Sequence, residues 1–149
     1  MRFQLTAAWP RLTDTFTAAD ETGRAVYTVR AKTLSLRDSL TIRDAVGQPV
    51  ARLQAGWLGG YRLTLGDREV GVIVGGPRPR LERLAGGAFT VTGDIAGREY
   101  KLADQERVLA TVSRRFFSLT DCYGLDVPRA EEALLAVAVA VALHRLQEG

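Results

Sequence analysis

Ala133-Leu-Leu-Ala-Val-Ala-Val-Ala-Val-Ala-Leu143 is a run of eleven consecutive apolar residues. Alanine is the strongest helix former, so the run predicts a helix. Pro128 suits a first turn, Glu131 and Glu132 suit the positive end of the helix dipole, and His144 with Arg145 suit the negative end. The expected span is Pro128 to Gln147. On its wheel Leu134, Val137 and Val141 lie on one side, Leu135, Val139, Leu143 and Leu146 lie roughly opposite, and Ala136, Ala138, Ala140 and Ala142 fill the flanks. A helix that is apolar all round is enclosed by protein or inserted in a membrane. Eleven residues rise only about 17 Å, short of the roughly 30 Å hydrocarbon core, so burial inside protein is the expectation.

What encloses the helix must come from the residues before it, and these read as short alternating strands. They are expected near Arg2–Thr6, Thr15–Ala18, Ala25–Arg30, Ser39–Arg43, Val50–Gln54, Tyr61–Leu65, Glu69–Val74, Arg80–Ala85, Phe89–Gly93, Glu99–Ala103, Val108–Arg114 and Cys122–Val127. The turns between them have recognisable chemistry. Asp20-Glu-Thr-Gly23, Asp44-Ala-Val-Gly47 and Asp94-Ile-Ala-Gly97 share a form in which Asp bonds the turn backbone and Gly takes the positive φ. Gly66-Asp67 and Gly86-Gly87 fit tight hairpins. Pro77 and Pro79 flank Arg78 in a segment unsuited to a central strand, so a crossing between two groups of hairpins is expected there. Side chains alone fill barrels of about eight strands. The fold class is therefore mainly β with one C-terminal helix: a closed antiparallel barrel of about twelve strands around a buried hydrophobic helix, as one domain over residues 1–149.

Residues 25–42 also align with 108–125 at constant offset. Thr28-Val29 meets Thr111-Val112, Ser35-Leu36 meets Ser118-Leu119, Asp38 meets Asp121, and Lys32, Leu34, Leu40 and Ile42 meet Arg115, Phe117, Tyr123 and Leu125. The pattern predicts two copies of one strand–loop–strand unit.

Several pieces then align with a known family. They are Gly23 followed by Val26–Val29, the Leu34-Ser-Leu-Arg-Asp38 bend, Ile42–Asp44 stepping into Gly47, and Tyr61-Arg-Leu. Later come Val91-Thr-Gly-Asp94, Ala110-Thr-Val-Ser-Arg-Arg-Phe-Phe117, Asp121-Cys-Tyr-Gly124 and the closing apolar helix. In their order the chain resembles the tubby C-terminal-like superfamily, and more closely its LURP-one-related and phospholipid-scramblase-like branch. The resemblance implies a twelve-stranded barrel wound round a hydrophobic C-terminal helix. For function it implies less, because the members include phosphoinositide-binding modules, proteins linked to lipid scrambling and many bacterial proteins of unknown role. The chain lacks the Pro-rich arm, the Cys cluster suited to acylation and the long hydrophobic anchor of the scramblase branch, so membrane residence is not expected.

Composition narrows the chemistry. The chain has 149 residues, 46% hydrophobic and 25% charged, as in an ordinary globular domain, and this excludes collagen, disorder and a disulfide scaffold. Lys and Arg number 20 against 17 acids, and the net charge of +3 does not call for nucleic acid. The single Cys cannot form an internal disulfide, and Met1 to Leu12 has no apolar core of a signal peptide, so a cytoplasmic protein, at most peripheral to a membrane, is expected.

His144 is the only histidine, which excludes a two-His metal site, and it is expected to cap the helix end. Cys122 has no spacing that joins it to His144 as a nucleophile and base. Asp20, Asp44, Asp94 and Asp121 are explained as turn residues rather than calcium ligands. No G-x-S-x-G, G-x-x-x-x-G-K or G-x-G-x-x-G motif occurs, so no catalytic residue, metal or cofactor is expected. Phe116 and Phe117 are expected to pack inside the barrel bend. The binding candidates are two cationic groups, Arg78, Arg80 and Arg83 around the Pro-rich segment, and Lys32, Arg114 and Arg115 in the repeated unit, because the Arg fork holds phosphate and carboxylate. The expected function is a non-enzymatic binding or interaction domain, its partner an anionic phospholipid surface or a protein. The alternative is a lipid- or small-molecule-handling enzyme or scramblase-like protein. A DNA-bound regulator would need a basic stripe that the net charge does not promise.

Overall fold

Residues with alternating apolar side chains form twelve strands, each hydrogen-bonded to an antiparallel neighbour on both sides, so that the sheet closes on itself. This computed structural model describes residues 1–8, 15–32, 39–56, 59–114 and 122–148. The strands are β1 (Arg2–Ala8), β2 (Thr15–Ala19), β3 (Ala25–Lys32), β4 (Ser39–Arg43), β5 (Pro49–Ala55) and β6 (Tyr61–Leu65). They continue with β7 (Arg68–Val74), β8 (Arg80–Arg83), β9 (Ala88–Asp94), β10 (Glu99–Ala103), β11 (Val108–Ser113) and β12 (Cys122–Asp126). A 3-10 turn (Ala130–Glu132) leads into α1 (Ala133–Glu148). Alternation decides which side chains face the core. Leu40 and Ile42 of β4, Ala51 and Leu53 of β5, Tyr61 and Leu63 of β6, and Tyr100 and Leu102 of β10 are buried, while Arg43, Arg52, Arg62 and Lys101 are exposed. Each large apolar side chain so buried contributes roughly 1.5–3 kcal/mol.

The chain order around the ring is sequential, with β1 closing on β12. The expected crossing at Pro77-Arg78-Pro79 is therefore corrected: residues 75–79 are the loop of an ordinary hairpin, with Val74 opposite Arg80. The prolines lie in that loop, where no ladder donor is needed. β8 also ends at Arg83 rather than Ala85, because the hairpin of Gly86 and Gly87 turns back at once, Arg83 donating its N–H to the Gly87 carbonyl at 3.0 Å. The repeat is present as geometry. The β3–β4 hairpin pairs Thr28 with Arg43 and Val29 with Ile42, and the β11–β12 hairpin pairs the aligned Thr111 with Asp126 and Val112 with Leu125. The shared Ser-Leu-x-Asp bends lie outside the described residues.

In a closed antiparallel meander all odd-numbered strands end at one rim. The rim that holds Met1 is the near rim, with the connections at 20–24, 44–48, 66–67, 84–87, 104–107 and 127–132. The opposite, far rim carries 75–79 and 95–98, Lys32 at the end of β3, and Arg114 just after β11. Two near-rim turns follow the expected design. The Asp20 carboxylate accepts the N–H groups of Thr22 and Arg24 at 2.9 and 3.1 Å, Asp44 does the same for Val46 and Gln48, and Gly23 and Gly47 both take φ +86°. The third turn departs: Asp94 accepts the Gly97 N–H, but the positive φ of 58° falls on Arg98. A fourth turn of this kind, at Asp104, lies in the 104–107 connection.

The helix begins later than expected. Arg129 is extended at φ −112°, ψ 117°, the next residues make the 3-10 turn, and α1 starts at Ala133. Glu132 is held by Arg107, across 2.6 Å, at the near rim. At the other end, His144 touches Phe16, Tyr123 and Arg98, and Leu146 lies against Gly75, all on the far-rim side. Between these ends every residue from Ala136 to Leu143 has 1% exposure or less and belongs to one apolar cluster with the inward side chains of the strands. α1 approaches β5, β6, β7 and β11. No helix among the described residues is long and apolar enough to cross a membrane.

Candidate functional site

The far rim gathers arginines. Its connections after β7, β9 and β11 follow one another around the ring, and among the described residues they carry Arg78, Arg98 and Arg114. Arg80 opens β8 beside Arg78, and Arg145 lies in the last turn of α1, whose negative end favours cations. The near-rim connections hold Asp20, Glu21, Asp44, Asp67, Asp104, Glu106, Glu131 and Glu132 against only Arg24, Arg107 and Arg129. Among the described connections the far rim is thus basic and the near rim acidic, with Asp94 and Glu99 at the strand ends on either side of the Arg98 connection.

The two expected cationic groups are partly merged and partly broken by this arrangement. Arg78, Arg80 and Arg114 share the far rim. Arg78 and Arg114 are exposed, and among the described residues neither forms an ion pair. Arg80 spans to Glu82 at 2.8 Å and donates to the Arg78 carbonyl at 2.9 Å, which braces the loop. Glu99 accepts the backbone N–H of Arg114 at 3.0 Å and so positions that residue. Arg83 does not belong here. Three residues along a strand from Arg80, it points to the opposite face, toward the core, at the near rim. The backbone of Lys32 ends β3 at the far rim. Its side chain and all of Arg115, Phe116, Phe117 and Asp121 lie outside the described residues.

Arg98 was missed by sequence reasoning. A non-glycine residue in the left-handed region costs about 1–3 kcal/mol and persists where its surroundings over-determine it. Here the Arg98 guanidinium lies 4.9 Å from the centre of the Tyr123 ring, and Nη2 is 3.4 Å from Nδ1 of His144. His144 in turn stacks on Tyr123 at 6.0 Å and meets Phe16 edge-on at 5.0 Å. The histidine, four residues before the end of α1, is thus a buried plate between Phe16, Tyr123 and Arg98. No signal in the sequence set Arg98 apart, since Arg24 likewise follows an Asp-x-x-Gly turn.

Beside Arg80, the outer face of β6–β8 forms a groove of about 440 Å³ walled by Val72 and Val74 and flanked by Arg62, Arg80 and Glu82. It gives the basic rim an apolar shoulder. At the near rim the Phe89 ring lies 4.4 Å from the Arg83 guanidinium and 5.1 Å from that of Arg107. Arg83 bonds Asp104 at 3.1 Å. The backbone N–H groups of Arg107 and Glu106 donate to Asp104 and hold its carboxyl below the usual carboxylate range. This network reads as a structural clasp, its charges already matched. Cys122 and His144 are not brought together as a pair. Tyr123 stacks on His144, so strand alternation sends Cys122 to the other face, where its Sγ is 3.2 Å from the Thr6 hydroxyl.

Comparison with known proteins places the chain. A family model described as LURP-one-related matches residues 2–144. The uncharacterized protein YxjI of Bacillus subtilis (strain 168) is 27% identical over 136 residues, covering 87% of this chain and 83% of that protein. A solved structure of an Arabidopsis thaliana protein superposes with a TM-score of 0.72 at 15% sequence identity, covering 98% of this chain and 91% of that one, a likeness of fold.

Proposed function

The chain belongs to the LURP-one-related family, and from that premise we propose that it is a non-enzymatic binding domain: a barrel filled by α1 that meets anionic phospholipid surfaces through the arginines of its far rim. The filled barrel is supported by the contacts of the helix. β5 and β11 stand six places apart in a ring of twelve, and α1 approaches both. With α1 occupying the interior, the large recognition surfaces left are the two rims and the outer wall. The observation that carries the reading is the arc of exposed Arg78 and Arg114 on either side of half-buried Arg98, on three successive far-rim connections, while the near-rim connections are mainly acidic. Such polarity orients the molecule before contact, and each Arg near an anionic bilayer surface contributes roughly 1 kcal/mol. The Val72–Val74 groove beside Arg80 supplies apolar area for the membrane interface.

Liposome co-sedimentation tests this. Vesicles with anionic lipid are expected to retain the protein weakly, and neutral vesicles to leave it in solution. Retention should fall as salt shortens the Debye length below about 10 Å above 0.1 M. Arg78→Ala combined with Arg80→Ala should lower partitioning about tenfold or more. Equal partitioning onto neutral and anionic vesicles, or no retention at low salt, would remove the lipid reading.

A further inference from the structure

Where β6, β7 and β8 meet α1 at the near rim, a slot of about 450 Å³ opens between sheet and helix, remote from the arginine arc. The sheet beside it is irregular. Gly71 stands opposite both inward-facing Leu63 and Arg83, so a position facing the core carries no side chain there. A Cβ on Gly71 would collide with the Glu82 carbonyl oxygen and come within 3.1 Å of Leu81, so the strands approach too closely for another residue. The β6–β7 register also shifts between Leu63 and Thr64, leaving Val70 as an extra residue. Bulges of this kind re-aim side chains beside binding sites.

The walls of the slot are Leu65, Val70, Leu81, Leu84, Ala85 and Leu135. Leu81 is buried, whereas Leu84 is 64% exposed on the lip. A single exposed leucine needs no explanation on an open surface, but this one extends an apolar wall that already reaches the core. Two guanidinium groups flank the opening. Arg68 stands opposite inward-facing Leu65, and Arg83 shares the face of Leu81 two residues before it. Arg83 is tied to Asp104 through Nη2, while no ion pair forms on Arg68 among the described residues. Glu69, the acid of the lining, has Thr64 as its register partner, on the other side of the sheet from Leu63.

We propose that this slot binds a small amphipathic monocarboxylate, of the kind represented by a medium-chain fatty acid, with its chain along Leu81 and Leu135 and its carboxylate on Arg68 beside Arg83. The volume lies within the roughly 300–1,000 Å³ of small-molecule pockets, mostly apolar with a few placed polar groups. Arginine and carboxylate form charge-assisted, geometrically matched bonds, which distinguishes an acid from the alcohol of equal chain length.

Isothermal titration of the full chain with decanoate, below its micelle concentration, is expected to show saturable one-to-one binding. Decanol should bind about tenfold more weakly, and Arg68→Gln should weaken decanoate by about the same factor. Leu135→Trp should block the slot. Leu84→Asp, a change at an exposed site that leaves the fold intact, should repel the carboxylate and weaken binding several-fold. Arg78→Ala with Arg80→Ala should leave decanoate binding unchanged, so this result stands or falls separately from that with vesicles. Absence of saturable decanoate binding, equal affinity for decanol, or binding that survives Arg68→Gln and Leu84→Asp within twofold would overturn the assignment.

Discussion

Ala138→Asp is expected to abolish cooperative folding. Ala138 has 0% exposure, as do its neighbours Val137 and Val139, and the apolar cluster around it is continuous with the sheet. A carboxylate placed there has two courses: it ionises unpaired in a medium that solvates charge poorly, or it takes a proton and leaves polar atoms without partners. Either costs several kcal/mol. Domains of this size are stable by only about 5–15 kcal/mol, so the loss consumes most or all of the margin. Circular dichroism with urea titration should find no two-state transition for the variant. Ala138→Ser, nearly the same in volume, should remain folded but lose about 1–3 kcal/mol. An aspartate variant that melts like the parent would contradict enclosure of the helix on all sides.

Phe89→Ala should be the costliest truncation at the near rim. The ring is fully buried and supports Arg83 on one contact and Arg107 on another. Removing a buried Phe typically costs about 3–5 kcal/mol, through lost transfer free energy and the cavity left behind. The two cation–π contacts add to this, each worth about 0.5–2 kcal/mol. They also hold the residues that grip Asp104 and Glu132, so loss of the ring loosens the attachment of the 3-10 turn before α1 to the 104–107 connection. Phe89→Leu keeps most of the volume and loses the ring face, and should fall well short of the alanine cost. Chemical denaturation of the two variants separates the terms. Equal losses for Leu and Ala would show that the guanidinium contacts, rather than the packed volume, dominate.

Strands and helix were legible because their signals are periodic and local. Alternation in Tyr61–Leu65 and Glu99–Ala103 placed both strands to the residue, and the apolar run from Ala133 had no other outlet than burial. The repeat was legible for a similar reason, since equal register in two hairpins demands equal spacing of apolar positions. The far-rim arc was not. Arg78 and Arg114 are far apart in sequence, and only the closed meander, which sends every odd-to-even connection to one end, brings them to a common rim. The same rule removes Arg83, three positions and one face away from Arg80. Arg98 escaped notice because glycine is the expected bearer of a positive φ. What places an arginine there is a Tyr123–His144 stack assembled from β12 and α1, which no local pattern encodes.

Hydrogen exchange with and without anionic vesicles addresses the surface directly, because it reports which backbone amides are covered rather than whether the protein is retained. Slowed exchange is expected in the far-rim connections 75–79 and 95–98 and unchanged exchange in the near-rim connections 44–48 and 84–87. Slowing confined to the near-rim connections, or retention on vesicles with no slowing at 75–79 and 95–98, would contradict binding through the far rim.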